Sequence, residues 1–233
     1  MDELYDLSDL EMLAQDCLLR AGVASADARL IARDVALSQA AGHTDCGFEA
    51  LLRDIRLLRY GRIHVDTAPT VSAPAAAVLH VDAAHGFAAP ALARALPRLI
   101  EMAMSEGLAL LHLKRASDPG AMAGAMTDLA TSGLAGLSLR PEGTAFAIRP
   151  TAQRITPLDQ KDETMLSALL SLAPEAADSP LDGPVAHKGW IAALNPEMTA
   201  AEALLEALPQ TGAVPKRGAV SVAPELLAQI VNA

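Results

Sequence analysis

The chain has 233 residues, a formal net charge of -10, 52% hydrophobic but only 3% aromatic residues, and two cysteines. That length suits one sizeable domain, and an Ala- and Leu-rich composition poor in aromatics suits helices packed on a buried sheet rather than an all-β sandwich. The acidic balance and scattered aromatics argue against a nucleic-acid partner, which is held by clustered Lys and Arg or by stacking rings.

Cys17 and Cys46 lie far apart and match neither a disulfide framework nor a metal-ligand spacing, so no metal site is expected. The acidic start Met-Asp-Glu-Leu-Tyr-Asp lacks the features of a signal peptide. Pro, Gly or charge breaks every apolar run before it reaches bilayer length. The expectation is a cytoplasmic protein without membrane contact.

Ser8 and Glu11 read as a capping box for a first helix, whose apolar positions Leu10, Leu13, Cys17 and Leu18 recur until Gly22. Ser25 reads as the cap of a second helix through Ile31 and Val35, and a third runs from Phe48 to Arg59, ended by Gly61. Residues 1–64 are thus expected to be a helical segment docked on an α/β core of residues 65–233.

In the core, Pro69 and Pro74 punctuate a loop, and Ala77–Val81 reads as a strand. Phe87–Ser105 has a helical pattern that Pro97 should bend or split, since proline removes one backbone donor. Leu108–Leu113, Ala121–Thr131 and Leu134–Leu139 read as β-α-β. Phe146–Ile148 and Trp190–Leu194 read as strands. Glu163–Leu172, Thr199–Leu208 and Pro224–Val231 read as helices, and Pro174–Pro184 as an acidic loop. The fold class is α/β, a mixed sheet with helices on both faces, preceded by the helical segment.

No glycine-rich phosphate loop, nucleophile elbow or His-Glu-x-x-His occurs. A longer pattern does. Gly42-His43-Thr44-Asp45-Cys46-Gly47, then Arg59-x-Gly61-x-Ile63, Val81-Asp82-Ala83 with Gly86-Phe87, and Arg115-Ala116-Ser117-Asp118-Pro119-Gly120 recur in order, followed by Gly133-Leu134-Ala135-Gly136 and His187-Lys188-Gly189-Trp190-Ile191-Ala192. Their order and spacing resemble the malate/L-lactate/sulfolactate dehydrogenase family, whose NAD(P)-binding fold is not a Rossmann fold. The corresponding family motifs are G-x-x-S-H-G, V-D-G-x-x-G-x-G, N-S-x-H-x-G, G-L-I-G and G-H-x-F-I-A.

The resemblance implies a homodimer with a site near the subunit contact, where two histidines serve substrate binding and proton transfer beside the nicotinamide and an arginine holds the substrate carboxylate. Here those three positions are Cys46, Asp118 and Ala50, and the family's Ser is Asp45. Cys46, His43 and Asp118 become the catalytic candidates, although Asp118-Pro119-Gly120 also reads as a plain turn and cysteine is a common small core residue. Asp45, Gly47, Arg53, Ser117 and Gly120 are the substrate-binding candidates. Arg53, Arg56 and Arg59 also form a basic helical face suited to solvent or a subunit contact. Lys161, before Asp162 in a shortened middle segment, is the one cofactor-binding candidate.

A 2-hydroxy-acid dehydrogenase moves a proton with its hydride and pairs a carboxylate with a cation. With those residues replaced together, the expectation is a divergent homologue that binds a small carboxylic-acid metabolite or a protein partner without standard hydride transfer. The alternative is an NAD(P)-dependent oxidoreductase acting on a small 2-oxo, 2-hydroxy or cyclic imino acid.

Overall fold

The computed structural model describes residues 3–140, 145–152, 154–158, 187–201, 203, 205 and 220–233. Their order is β1 (Glu3–Tyr5), α1 (Leu7–Arg20), α2 (Ser25–Ala40), a 3-10 turn (Thr44–Cys46), α3 (Phe48–Arg59), β2 (Thr70–Ala75), β3 (Val78–Asp82), α4 (Ala88–Glu106), β4 (Leu108–Ala116) and α5 (Ala123–Thr131). There follow β5 (Ala135–Leu139), β6 (Ala145–Ile148), β7 (Ile155–Pro157), β8 (His187–Leu194), β9 (Val220–Val222) and α6 (Pro224–Asn232). The expected helix Glu163–Leu172, the loop Pro174–Pro184, Lys161 and most of Thr199–Leu208 lie outside the described residues.

Seven strands form one mixed sheet in the order β2-β3-β4-β8-β5-β6-β7. Side chains alternate across it, so Leu79, Val81, Ala109, Leu111, Leu113, Ile191 and Ala193 face α4 and α5 in the main core. Leu137, Leu139, Ala145, Ala147 and Ala192 face the other side, where Ala201 and Leu205, in helical backbone, pack on them. The sheet is therefore mixed and covered on both faces, as the composition suggests. A separate core joins α1, α2 and α3 to Phe87, β9 and α6.

Several local expectations are corrected. Ser8 and Ser25 are not N-caps: Asp6 and Ala24 hold those positions, and neither helix start is closed by a side-chain hydrogen bond. The segment punctuated by Pro69 and Pro74 contains an edge strand, β2, whose pairing with β3 shifts register between Ser72 and Ala75, an irregularity that accommodates Pro74. Pro97 neither splits nor ends α4, which runs unbroken from Ala88 to Gly107, a left-handed cap with φ 82°. The β-α-β unit is interrupted, because β8 lies antiparallel between β4 and β5: Ala193 pairs with Ala109 on one side and Gly136 on the other. The strand expected over Trp190–Leu194 starts earlier, so that His187 and Lys188 lie inside β8, and Trp190 is half-buried, stacked on His112 at 5.1 Å.

Pro97 is exposed within α4 and leaves one carbonyl of the preceding turn without its helical donor. Replacing it with alanine is expected to raise unfolding stability by about 1 kcal/mol or more, read by urea denaturation, because restoring the helical bond outweighs the unfolded-chain freedom that proline removes.

Candidate functional site

The 3-10 turn carries Asp45 and Cys46 into the start of α3, and its position is set from below by Gln39 on α2. Gln39 Oε1 accepts from the backbone N–H of Phe48 at 3.2 Å, while its Nε2 donates to the Ser221 carbonyl on β9 at 2.8 Å. A Cβ at Gly47 would overlap Gln39 Oε1, so glycine is required there by close approach. Cys46 is thereby held buried, with Gly120 across from it: that residue has φ 54°, and a Cβ on it would lie 3.2 Å from Cys46 Cβ.

The opposite wall is the turn after β4. Ser117, almost fully buried, accepts at its Oγ from the first N–H of α4, Ala88, at 3.1 Å. Its hydroxyl thus closes a helix end. Asp118 Oδ1 accepts from Gly120 N–H at 3.0 Å, the local turn bond foreseen for this sequence. Its Oδ2 accepts from two guanidiniums, Arg53 Nη2 at 3.0 Å and Arg140 Nη2 at 3.1 Å.

The structure thus brings His43, Asp45, Cys46, Arg53, Asp118 and Gly120 to one place, and sets Ser117 and Gly47 just behind it as supports. It adds Arg140, which stands one residue beyond β5, with a side chain only 12% exposed, its Nη1 3.5 Å from Cys46 Sγ and 3.8 Å from Asp45 Oδ2. Sequence reasoning passed over Arg140. The signal was there: a cation directly after an all-apolar strand, at the strand end where α/β proteins place ligands. Asp54, a carboxylate on the buried side of α3 and 3.5 Å from Arg53 Nε, was missed as well.

Burial governs the electrostatics. It pushes the Cys46 thiol up to about 12, with Asp45 adding to the shift and Arg140 opposing it, so the group stays a thiol near neutrality. Burial also lowers the His43 imidazole, which packs edge-on against Phe146 at 4.7 Å and whose Nε2 has no hydrogen-bond partner among the described residues. Neither is a ready general base. Asp54 is raised from 3.8 to about 7 by burial, against the pull of Arg53 and with the push of Asp118.

A raised carboxyl favours the folded state most when it is protonated, so Asp54 contributes stability at pH below about 4 that is lost as pH climbs through 7. Asp54→Asn is expected to match the native protein's melting temperature near pH 4.5 and to exceed it by roughly 4–8 °C at pH 8. Calorimetric melts at four pH values check this. A difference that does not grow with pH contradicts it.

The backbone around Asp118 is also unusual. Ala84, His85, Arg115 and Met122 all have positive φ, between 49° and 66°. The first three lie side by side, with His85 N–H donating to the Arg115 carbonyl at 2.6 Å and Ser117 N–H to Gly86 at 2.8 Å. Such residues are sparsely populated outside glycine, asparagine and aspartate, and collect where surrounding structure holds them.

Residues 5–154, more than half of the chain, match the malate/L-lactate dehydrogenase family. A Δ1-pyrroline-2-carboxylate/Δ1-piperideine-2-carboxylate reductase of Pseudomonas putida is 33% identical over 132 residues, 57% of this chain and 39% of that protein. A (2R)-3-sulfolactate dehydrogenase (NADP+) of Chromohalobacter salexigens is 29% identical over 147 residues, 63% of this chain and 44% of that protein. The chain therefore spans less than half the length of these relatives. In three dimensions it is similar to a dehydrogenase from Sinorhizobium meliloti, with a TM-score of 0.74 at 17% identity over 100% of this chain and 99% of that one. It is also similar to the sulfolactate dehydrogenase of Methanocaldococcus jannaschii, with a TM-score of 0.67 at 16% identity over 98% and 95%. Arg115, at φ 49°, stands where the family motif carries asparagine, a residue that takes left-handed backbone with little strain. By that match over residues 5–154, the chain belongs to the malate/L-lactate dehydrogenase family.

Proposed function

We propose that this site binds a small carboxylic acid of the 2-oxo, 2-hydroxy or cyclic imino class through Arg140 and Arg53, in an oxidoreductase-family pocket whose proton-transfer histidines have been replaced. One observation carries the reading. Although the inherited cation position is Ala50, a guanidinium still reaches the pocket, because Arg140 enters from the end of β5 to within 3.5 Å of Cys46 and 3.1 Å of Asp118. Arginine suits a planar carboxylate because its fork makes two parallel bonds.

The reaction class narrows on proton supply. Oxidising a 2-hydroxy acid, or reducing a 2-oxo acid, transfers a proton at the substrate oxygen, and neither the Cys46 thiol at about 12 nor the depressed His43 is tuned for it. A cyclic imine is different, since it enters already protonated on nitrogen and needs only a hydride at carbon. The relatives named as pyrroline-carboxylate reductases favour that substrate class.

In this family NAD(P) supplies the hydride when bound. The described residues at the site do not fit a dinucleotide's pyrophosphate: Arg53 and Arg140 both close on Asp118, and the carboxylates of Asp45 and Asp118 repel phosphate. Lys161, the candidate for that role, lies outside the described residues. This engagement of both guanidiniums favours a second reading, in which the pocket binds its acid without turnover.

Two measurements test these readings. In thermal-shift and calorimetric titrations, at least one of pyruvate, lactate and a cyclic imino acid is expected to bind the native protein, and Arg140→Met to weaken that binding at least about tenfold, the loss typical of one charge-assisted contact. No binding by any of them overturns the carboxylate site. Titration with NADH and NADPH, followed by nicotinamide fluorescence, separates turnover from simple binding: micromolar affinity selects the reductase, and no uptake selects the binding protein.

A further inference from the structure

We propose that the site takes up one proton with each simple carboxylate it binds, and that Asp54 holds that proton. The inference rests on the carboxylate-site reading above and adds to it a control by pH.

Arg53 is the guanidinium that an incoming anion reaches, since its side chain is 44% exposed. It stands between two carboxylates: Asp118 Oδ2 lies 3.0 Å from its Nη2, and Asp54 Oδ1 lies 3.5 Å from its Nε. Asp118 is shared with Arg140 at 3.1 Å, and Arg140 makes a further contact of its own, so Arg53 is the cation whose balance is open. With Asp54 ionised, Asp54, Asp118, Arg53 and Arg140 carry equal positive and negative charge, and a further carboxylate finds no uncompensated cation. With Asp54 protonated, the same four groups carry one net positive charge, which one anion neutralises. Asp45, 3.8 Å from Arg140, is 71% exposed and solvated, and weighs little on this balance.

Asp54 is placed to hold the proton. Its side chain is 11% exposed, and its Oδ1 is buried without a hydrogen-bond partner among the described residues. An ionised oxygen so placed is costly, and a proton removes the cost. Two charged groups act on it, Arg53 from its own helix and Asp118 from the turn after β4, in opposite senses; burial outweighs Arg53 and brings the carboxyl to about 7. An anion on Arg53 weakens that cation's hold on Asp54 and adds negative charge beside it, so binding raises Asp54 further. By reciprocity, protonation of Asp54 strengthens binding. The other titratable groups of the buried wall do not supply this proton above pH 7: Cys46, at about 12, stays a thiol, and His43, lowered by burial, stays neutral.

Pyruvate is the probe, because its carboxylate stays ionised throughout this range. By isothermal titration, the native protein's affinity for pyruvate is expected to fall at least about tenfold from pH 7 to pH 9, as it must when a group near 7 has to be protonated for binding. At pH 8, titrations in Tris and in triethanolamine, which differ in ionisation enthalpy, are expected to show proton uptake approaching one per pyruvate bound. Asp54→Asn keeps the uncharged state at every pH. It is expected to bind pyruvate with an affinity that does not change over this range, about tenfold above the native protein's at pH 8, and to take up no proton. If Asp54→Asn does not fold, the two-buffer titration of the native protein decides alone, and no uptake there overturns the proposal. Equal native affinity at pH 7 and pH 9, or the native fall persisting in Asp54→Asn, overturns the role of Asp54 while leaving the carboxylate site standing. Pyruvate binding to neither protein removes the simple-carboxylate site, and the proton coupling with it.

Discussion

One carboxylate joins the parts of this molecule that matter. Asp118 sits in the turn after β4 and receives Arg53 from α3 and Arg140 from the end of β5, so a single oxygen, Oδ2, fastens the N-terminal helices to two separate strand ends of the core. A pair this shielded, with 11% and 12% side-chain exposure for Asp118 and Arg140, is costly to form and far more costly to half-break. The positions of Cys46, Asp45 and the 3-10 turn follow from it, because that turn is clasped between Gln39 beneath and the Gly120 turn above.

How far the sequence reveals this depends on how local each signal is. The third helix was legible to the residue, because a narrow apolar stripe through Phe48, Leu51, Leu52 and Ile55 ends at a glycine. The buried strands were legible from unbroken apolar runs. β2 was not, because an edge strand exposed along nearly its whole length carries no hydrophobic alternation and tolerates Pro74. The helix caps misled for a related reason: serine near a helix start is a common cap, yet Ser8 and Ser25 fall inside the helices and leave the cap positions to Asp6 and Ala24.

The candidate site divides the same way. Segments 42–47 and 115–120 were found because each carries several motif residues at fixed spacing. Arg140 and Asp54 were not, because each is a lone charge whose meaning comes from a partner in another element: Arg140 meets Asp118 across 22 residues, and Asp54 matters only through Arg53 and its own burial. The sequence shows Cys46, Asp118 and Ala50 at the places where the motifs it resembles carry two histidines and an arginine. It could not show that the Arg140 guanidinium reaches Cys46 and Asp118 from the end of β5. Family membership rests on the match over residues 5–154 and on the fold, and does not depend on which side chains line the site.

The placement of β8 has a consequence for how the site comes into being. Asp118 follows β4 and Arg140 follows β5, and neither strand pairs with the other; β8 must enter between them before the sheet is continuous. Pairings of such long sequence separation carry a large loop-closure cost and form late. The separation of the two walls is therefore set by residues 187–194, which lie far along the chain from both of them. The spacing of the site's two walls thus depends on a strand that supplies none of the residues named in it.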